Sequence, residues 1–292
     1  MRVTSTSFAH LTTAEITDLG RRRERNEDAI IRLPNSGVFC VADGIGGAQG
    51  GHEASATTVL TLLDVFTRAD ERPASVSFDV RKSLVREAMN HACQSIRRHS
   101  VQCGYRESGT TAVTMLFDME HTNRAAILHA GDSRAYRYRD GRLYRLTRDH
   151  TLAVEAGWPE QDAWVFGMRT IITRAVGVRP FVDLDETPVD VLPGDVFLLC
   201  TDGLTRMLHD RLIADIILRC GLDDLDAVAG ELVKQANHAG GNDNITVLLV
   251  RVDQTIPAKT TPSIGWPSRW WHAMRARIPW LSRKSYSCPA IR

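Results

Sequence analysis

The sequence predicts a mixed α/β fold, a layered sandwich in which antiparallel sheets are covered by helices. Three observations carry this reading. Short apolar runs rich in Val, Ile, Leu and Phe recur along the first 255 residues and read as buried strands. Many of these runs are joined by tight turns, which makes their neighbours antiparallel. Helical periodicity comes in pairs between groups of strands, which argues against a Rossmann sheet.

In chain order, strands are expected near 14–19, 28–33 and 37–43, with the turn Leu33-Pro34-Asn35-Ser36-Gly37 joining the last two. Helices are expected at about 50–68 and 77–99. In the second, Leu84, Ala88, Ala92 and Ile96 recur every fourth residue beside Val85, Met89 and Cys93, over a polar face with Arg81, Lys82, Arg86 and Arg97. Strands follow at 110–118, 124–131, 134–139 and 142–146, the last two joined through Asp140-Gly141, a strong hairpin signal. Residues 151–172 differ in texture, with Gly157-Trp158-Pro159, Trp164 and Phe166, and read as an irregular or helical excursion of the kind found beside active sites. Strands at 181–188 and 195–201, helices at 210–219 and 224–239 and a strand at 245–252 complete the series.

Composition narrows the function classes. The apolar share of 43% and charged share of 24% are those of a soluble globular protein. No apolar run is long enough to cross a bilayer, and the first 13 residues carry no secretory h-region, so a cytoplasmic protein is expected. Six scattered cysteines without a C-x-x-C pair read as reduced core thiols. The net charge of +1 hides an asymmetry: residues 255–292 hold seven Lys/Arg and no Asp/Glu. In this basic, Pro- and Trp-rich tail Trp270, Trp271, Met274, Ile278 and Leu281 fall on one side of a helical wheel, with Pro279 limiting the helix to about 267–278, which fits a weak contact with an anionic membrane surface or a partner; the alternative is a disordered or self-docking tail. The body carries no basic stripe for nucleic acid.

The chemistry is concentrated in acids at strand ends. Three apolar runs end in an aspartate touching glycine: Val38 to Asp43-Gly44, Ile127 to Gly131-Asp132, and Val196 to Asp202-Gly203. Asp243 precedes a fourth run, Ile245 to Val250. Hard carboxylate oxygens converging from distant parts of the chain fit Mg²⁺, Mn²⁺ or Ca²⁺ rather than zinc, and suit a two-metal displacement at phosphorus. The stretch Arg21 to Asp28 mixes guanidinium groups with acids, and Arg binds phosphate bidentately. The glycine-rich stretch 44–51 lacks the P-loop lysine and the dinucleotide fingerprint. There is no Gly-x-Ser-x-Gly elbow and no Cys-x₅-Arg, and His150 reads as a hydrogen-bonded structural residue, with His52 exposed at a helix start.

Taken together, these segments resemble the metal-dependent serine/threonine protein phosphatases of the PPM family (type 2C), bacterial branch. The resemblance runs in order over residues 14–253, through Arg23-x-x-Asn26-Glu27-Asp28, Val41-Ala42-Asp43-Gly44-Ile45-Gly46-Gly47, Ser108-Gly109-Thr110-Thr111 and Gly131-Asp132-Ser133. It continues through Thr147-Arg148-Asp149-His150, Ile172-Thr173-Arg174, Thr201-Asp202-Gly203-Leu204 and Asn242-Asp243-Asn244. It implies a four-layer α-β-β-α sandwich of two mainly antiparallel sheets flanked by helix pairs. It also implies a phosphatase domain over 1–254, with 151–172 as a flap and 255–292 as a tail. The cofactors implied are Mg²⁺ or Mn²⁺, two core ions and a weaker third. Asp43 would bridge the core pair, the Gly44 carbonyl would bind one ion, and Asp202 and Asp243 would complete the shell. Glu27 would act through metal-bound waters, Asp132 with Asp202 would hold the third ion, and Arg23 would bind the substrate phosphate. Asp28 and Asn244 would support the ligands. Hydrolysis would proceed by direct attack of a metal-bridging water on phosphoserine or phosphothreonine in protein substrates, opposing a Ser/Thr kinase. Ile45 stands where the eukaryotic branch often has a histidine, so the leaving-group proton is expected from water. The alternatives are action on another class of regulatory phosphoprotein and a non-catalytic binding module.

Overall fold

The computed structural model describes residues 11–45, 50–70, 76–105, 108–121, 123–158 and 171–253. Most of the expected flap, 159–170, and the whole tail from 254 onward lie outside the described residues.

Eleven strands form two sheets among the described residues. One has the order β1 (Leu11–Asp18), β11 (Ile245–Val252), β10 (Val196–Cys200), β7 (Arg134–Arg139), β8 (Arg142–Arg145). The other runs β2 (Asp28–Leu33), β3 (Val38–Ile45), β5 (Ala112–Phe117), β6 (Arg124–Ala130), β9 (Asp185–Asp190), with β4 (Gly109–Thr110) pairing the end of β3. Every strand pair is antiparallel. Helices α1 (Gly51–Asp70) and α2 (Phe78–Cys103) cover the second sheet, while α5 (Asp210–Cys220) and α6 (Leu225–His238) cover the first. Single turns of helix stand at α3 (Leu152–Glu155) and α4 (Asp202–Thr205).

Alternation along the strands builds three stacked cores. Val38, Cys40 and Ala42 of β3 pack under α1 and α2, while Phe39 and Val41 face the other sheet. On β10, Val196, Leu198 and Cys200 meet α5 and α6, and Phe197 and Leu199 point inward. The inner layer is keyed by Phe39, Phe117 and Phe197, stacked edge-to-face with centroids 5.9 Å apart at each step. Two strands from one sheet and one from the other therefore share an aromatic spine. The four-layer sandwich is the predicted one.

Local chemistry explains most boundaries. The β7–β8 hairpin turns through Asp140 and Gly141, both with positive φ (51° and 74°), as the Asp-Gly pair predicts. Ser77 caps α2, and Gly104 ends it in the left-handed conformation. Three expectations need correction. The 110–118 strand is interrupted at Thr111, whose N–H turns to the Asp43 carbonyl oxygen (2.8 Å). The 181–188 strand is Asp185–Asp190, because residues before it bond to α2 side chains instead of a ladder: Asn90 accepts from the Val182 N–H and Arg86 donates to the Leu184 carbonyl. Arg81, placed on the polar face of α2, is buried; its guanidinium lies 5.3 Å from the Phe66 ring and donates to the Ser36 carbonyl. No helix among the described residues is long and apolar enough to cross a membrane.

Candidate active site

The apolar layer between the sheets ends, at one edge, in polar residues that continue the same strand faces. Asp43 follows Phe39 and Val41, Thr111 precedes Val113, Thr201 follows Phe197 and Leu199, and Thr246 precedes Leu248. β3 and β10 run into this edge, and β2, β5 and β11 start from it. Asp28 and Asp43 are direct partners in the β2–β3 register. Asp132 lies in the turn between β6 and β7, Asp202 begins α4 after β10, and Asp243 lies two residues before β11.

Backbone and hydroxyl contacts hold these acids in place. The Asp43 N–H donates to Thr111 Oγ1 (3.1 Å), and the Asp43 carbonyl accepts from Thr110 Oγ1 (2.8 Å). Thr111 Oγ1 also bonds Ser133 Oγ (2.6 Å), beside Asp132. Asp28 Oδ2 accepts from Thr246 Oγ1 (2.6 Å) and Thr201 Oγ1 (2.9 Å), so one carboxylate ties the two sheets together. Asn244 Oδ1 accepts from the Glu27 N–H (2.9 Å), while its Nδ2 donates to the carbonyls of Leu19 and Arg25 (3.0 Å each). That clamp fixes the segment carrying Arg23 and Glu27 against the start of β11. Arg23 Nη2 donates to Asp243 Oδ2 (2.8 Å).

Two glycines are required by close approach. A Cβ on Gly44 would lie 2.4 Å from the Gly51 carbonyl oxygen and 2.8 Å from that of Glu27. A Cβ on Gly203 would lie 1.9 Å from the Asn244 carbonyl oxygen. Gly203→Ala therefore forces apart the loops bearing Asp202 and Asp243, and should lower stability by about 1–3 kcal/mol. A urea midpoint equal to wild type would refute this packing.

Burial dominates the electrostatics. It drives Asp43 well above the usual carboxylate range, and Asp202, Asp28, Asp132 and Asp243 push the same way. Asp28 is pushed up to about 7 by burial, against the opposing hydroxyl bonds from Thr246 and Thr201. Asp132 reaches about 7 by burial, with Asp202 adding and Arg206 opposing. Burial also raises Asp202 and Glu27. Buried oxygens Asp28 Oδ1, Asp132 Oδ1 and Asp202 Oδ1 have no hydrogen-bond partner. The buried carboxylates outnumber the guanidinium groups beside them, Arg23 and Arg206, which is costly, and a divalent cation with hard-oxygen preference offsets that cost.

All nine site residues expected from the sequence (Arg23, Glu27, Asp28, Asp43, Gly44, Asp132, Asp202, Asp243 and Asn244) lie at this edge. The hydroxyls of Thr111, Thr201 and Thr246 went unassigned by sequence reading, although each is a polar residue in phase with an apolar inward face. Arg206 was also missed; its signal is the four-residue spacing from Asp202 on one short helix.

A second group, His129, His150 and Asp185, lies close by. The rings stack with centroids 4.6 Å apart and planes 12° from parallel, so their in-plane lone pairs cannot converge on one ion. His150 Nδ1 accepts from the Gly131 N–H (3.2 Å), which places the proton on Nε2, facing Asp185 Oδ2 (3.1 Å). His150 is thus a structural brace for the residue before Asp132, as predicted. Asp149 beside it is clamped by Arg134 (Nη2–Oδ2 2.7 Å) and Arg145, outside the acid cluster.

Comparison with known proteins identifies the family. A sequence model described as protein phosphatase 2C matches residues 21–235. The chain belongs to the protein phosphatase 2C family. This phosphatase is 32% identical over 247 residues to the serine/threonine phosphatase stp of Listeria monocytogenes, covering 82% of this chain and 95% of that protein. Among solved structures it is similar to PppA of Pseudomonas aeruginosa, a key regulatory component of T6SS there, with TM-score 0.73, 34% identity, and 84% and 99% of the two chains covered. It is also similar to the catalytic domain of the serine/threonine phosphatase PstP in complex with two manganese ions, with TM-score 0.71, 27% identity, and 85% and 100% coverage.

Proposed function

We propose that this phosphatase hydrolyses phosphoserine and phosphothreonine in protein substrates, with Mg²⁺ or Mn²⁺ held by the acid cluster at the sheet edge. The observation that carries the reading is the set of buried, mutually repelling carboxylates with unpartnered oxygens. Asp43, the Gly44 carbonyl, Asp202 and Asp243 are the proposed ligands of two core ions. Glu27 acts through water, and Asp132 with Asp202 is the weaker third position. Divalent ions there would supply a water of lowered pKa and offset the charge of the phosphate dianion.

The chain's own residues do the rest. Thr110 and Thr111 hold the Asp43 backbone on both sides, so its carboxylate is preorganised. Thr201 and Thr246 fix Asp28 behind it, and Asn244 fixes Glu27. Arg23, with 44% of its side chain exposed and Asp243 as its ion-pair partner among the described residues, is placed to meet an incoming phosphate. No side-chain nucleophile is assigned, and because Ile45 has no ionisable side chain, water would donate the proton that the leaving alkoxide takes up. The chemistry is assigned to 1–254 and none of it to the basic segment 255–292. A Ser/Thr kinase acting on the same cytoplasmic phosphoproteins is the proposed opposing partner.

The test is hydrolysis of a phosphothreonine peptide in Mn²⁺ and in EDTA. Turnover is expected only with the metal, and equal rates in EDTA would refute the reading. Arg23→Ala is expected to raise KM by roughly tenfold or more with a smaller fall in kcat, because it removes a charge-assisted phosphate contact. An unchanged KM would remove Arg23 from the phosphate site.

A further inference from the structure

Arg206 is the only arginine of the described residues that contacts Asp202, and its guanidinium also faces Asp132. Its Nη2 touches Asp202 Oδ2 and lies 3.6 Å from Asp132 Oδ2. The other oxygen of each acid, Oδ1, is buried and unpartnered. One face of the acid pair thus meets a fixed cation, while the other is left open. The placement is built into the chain. Arg206 ends the single turn α4 that Asp202 begins, and its N–H bonds the Asp202 carbonyl (2.8 Å). Burial works against its charge, but Asp202, Asp132, Asp43 and Asp243 outweigh burial and keep it protonated.

We propose that Arg206 is an internal competitor for divalent cation at the Asp132–Asp202 pair, a proposal that rests on the acid cluster being the metal centre. A guanidinium and a divalent ion cannot share the two Oδ2 atoms, since like charges a few ångströms apart in a partly buried site repel strongly. An ion that takes either Oδ2 atom must displace Arg206, and one held by the two Oδ1 atoms still meets its charge, so Arg206 opposes binding in both cases. It leaves Asp202 Oδ1 free, so the core ligands are not blocked. The consequence is a weak position filled only at high metal concentration, with Arg206 setting the threshold.

The experiment measures Mn²⁺ bound per chain, from micromolar to millimolar Mn²⁺, by equilibrium dialysis and by the EPR signal of free Mn²⁺, on the full chain. Wild type is compared with Arg206→Ala, Arg206→Gln and Arg206→Lys, each checked for folding by circular dichroism. Ala and Gln should tighten the weakest binding step by roughly tenfold or more, the scale of ordinary site-to-site coupling. Lys, which retains the charge, should resemble wild type. Asp132→Asn in the Arg206→Gln background should abolish the gained step. Isotherms that superimpose for wild type, Ala and Gln would overturn the proposal. So would loss of the weak step in Gln, which would make Arg206 a support for the acids. If no chain binds Mn²⁺ at all, the metal centre itself fails and the competition with it; superimposed isotherms that still show tight binding refute only the role of Arg206.

Discussion

Asp43→Asn is expected to lower phosphopeptide turnover by more than about 100-fold, beyond the cost of removing groups that merely support a metal ligand. The substitution keeps size and shape but removes one anionic oxygen from the centre of the cluster. Its backbone should not move, because Thr111 Oγ1 holds the N–H and Thr110 and Thr111 hold the carbonyl. Removing the charge relieves repulsion with Asp202, Asp28, Asp132 and Asp243, so the metal-free variant should be at least as stable as metal-free wild type. Mn²⁺ should then stabilise it less, since stabilisation follows affinity for the folded state. Turnover in Mn²⁺ and melting with and without Mn²⁺ check both halves. A variant within tenfold of wild-type turnover would show that Asp43 is not the centre of the site.

The metal-free protein should lose stability as pH rises from about 4 to about 7. Asp28 and Asp132 are each raised to about 7 by burial, while in the unfolded chain they titrate near the ordinary value of about 3.9. A carboxyl with a raised folded pKa contributes fully below its unfolded value, and that contribution falls away as pH climbs through the folded value. Other groups act in the opposite sense. Asp118, Asp149, Asp185 and Glu186 are held below the ordinary range by their arginine, lysine, histidine and backbone partners, against the opposing effect of burial, and lose their contribution only at lower pH. Buried His129, lowered chiefly by desolvation, resists protonation and works against the cluster over part of the window. The decisive quantity is therefore the difference between wild type and Asp132→Asn in EDTA. Urea unfolding at pH 4.5, 5.5, 6.5 and 7.5 should show Asp132→Asn gaining on wild type at each step until about pH 7. Saturating Mn²⁺ should cancel that gain; at about 100 times Kd a bound ion is worth about 2.7 kcal/mol. A difference flat with pH would mean Asp132 is not buried among like charges.

Much of this was legible in the residues. Apolar alternation placed ten strand segments and four helices near their observed positions, and Asp140-Gly141 announced its hairpin. The break at Thr111 comes from a backbone bond to Asp43, and the other two departures come from side chains reaching across the fold. Arg81 looked like surface charge because its partners, Phe66 and Ser36, are remote in sequence. Residues 181–184 looked like strand because apolar character does not say whether a ladder neighbour or a helix side chain takes the backbone bonds.

The site divides the same way. By itself the sequence determined which acids end apolar strands, because strand period and glycine chemistry are local, and the order of its motifs with Arg23 and Glu27 carried the resemblance to a phosphatase family. Only the tertiary structure decided how they interact: that Asp28 is tied to both Thr201 and Thr246, that Asn244 clamps Glu27, and that Arg206 stands against Asp202 and Asp132. Burial is the physical reason. The charge state of a carboxylate depends on what surrounds it in space, and the residues around these acids come from both sheets.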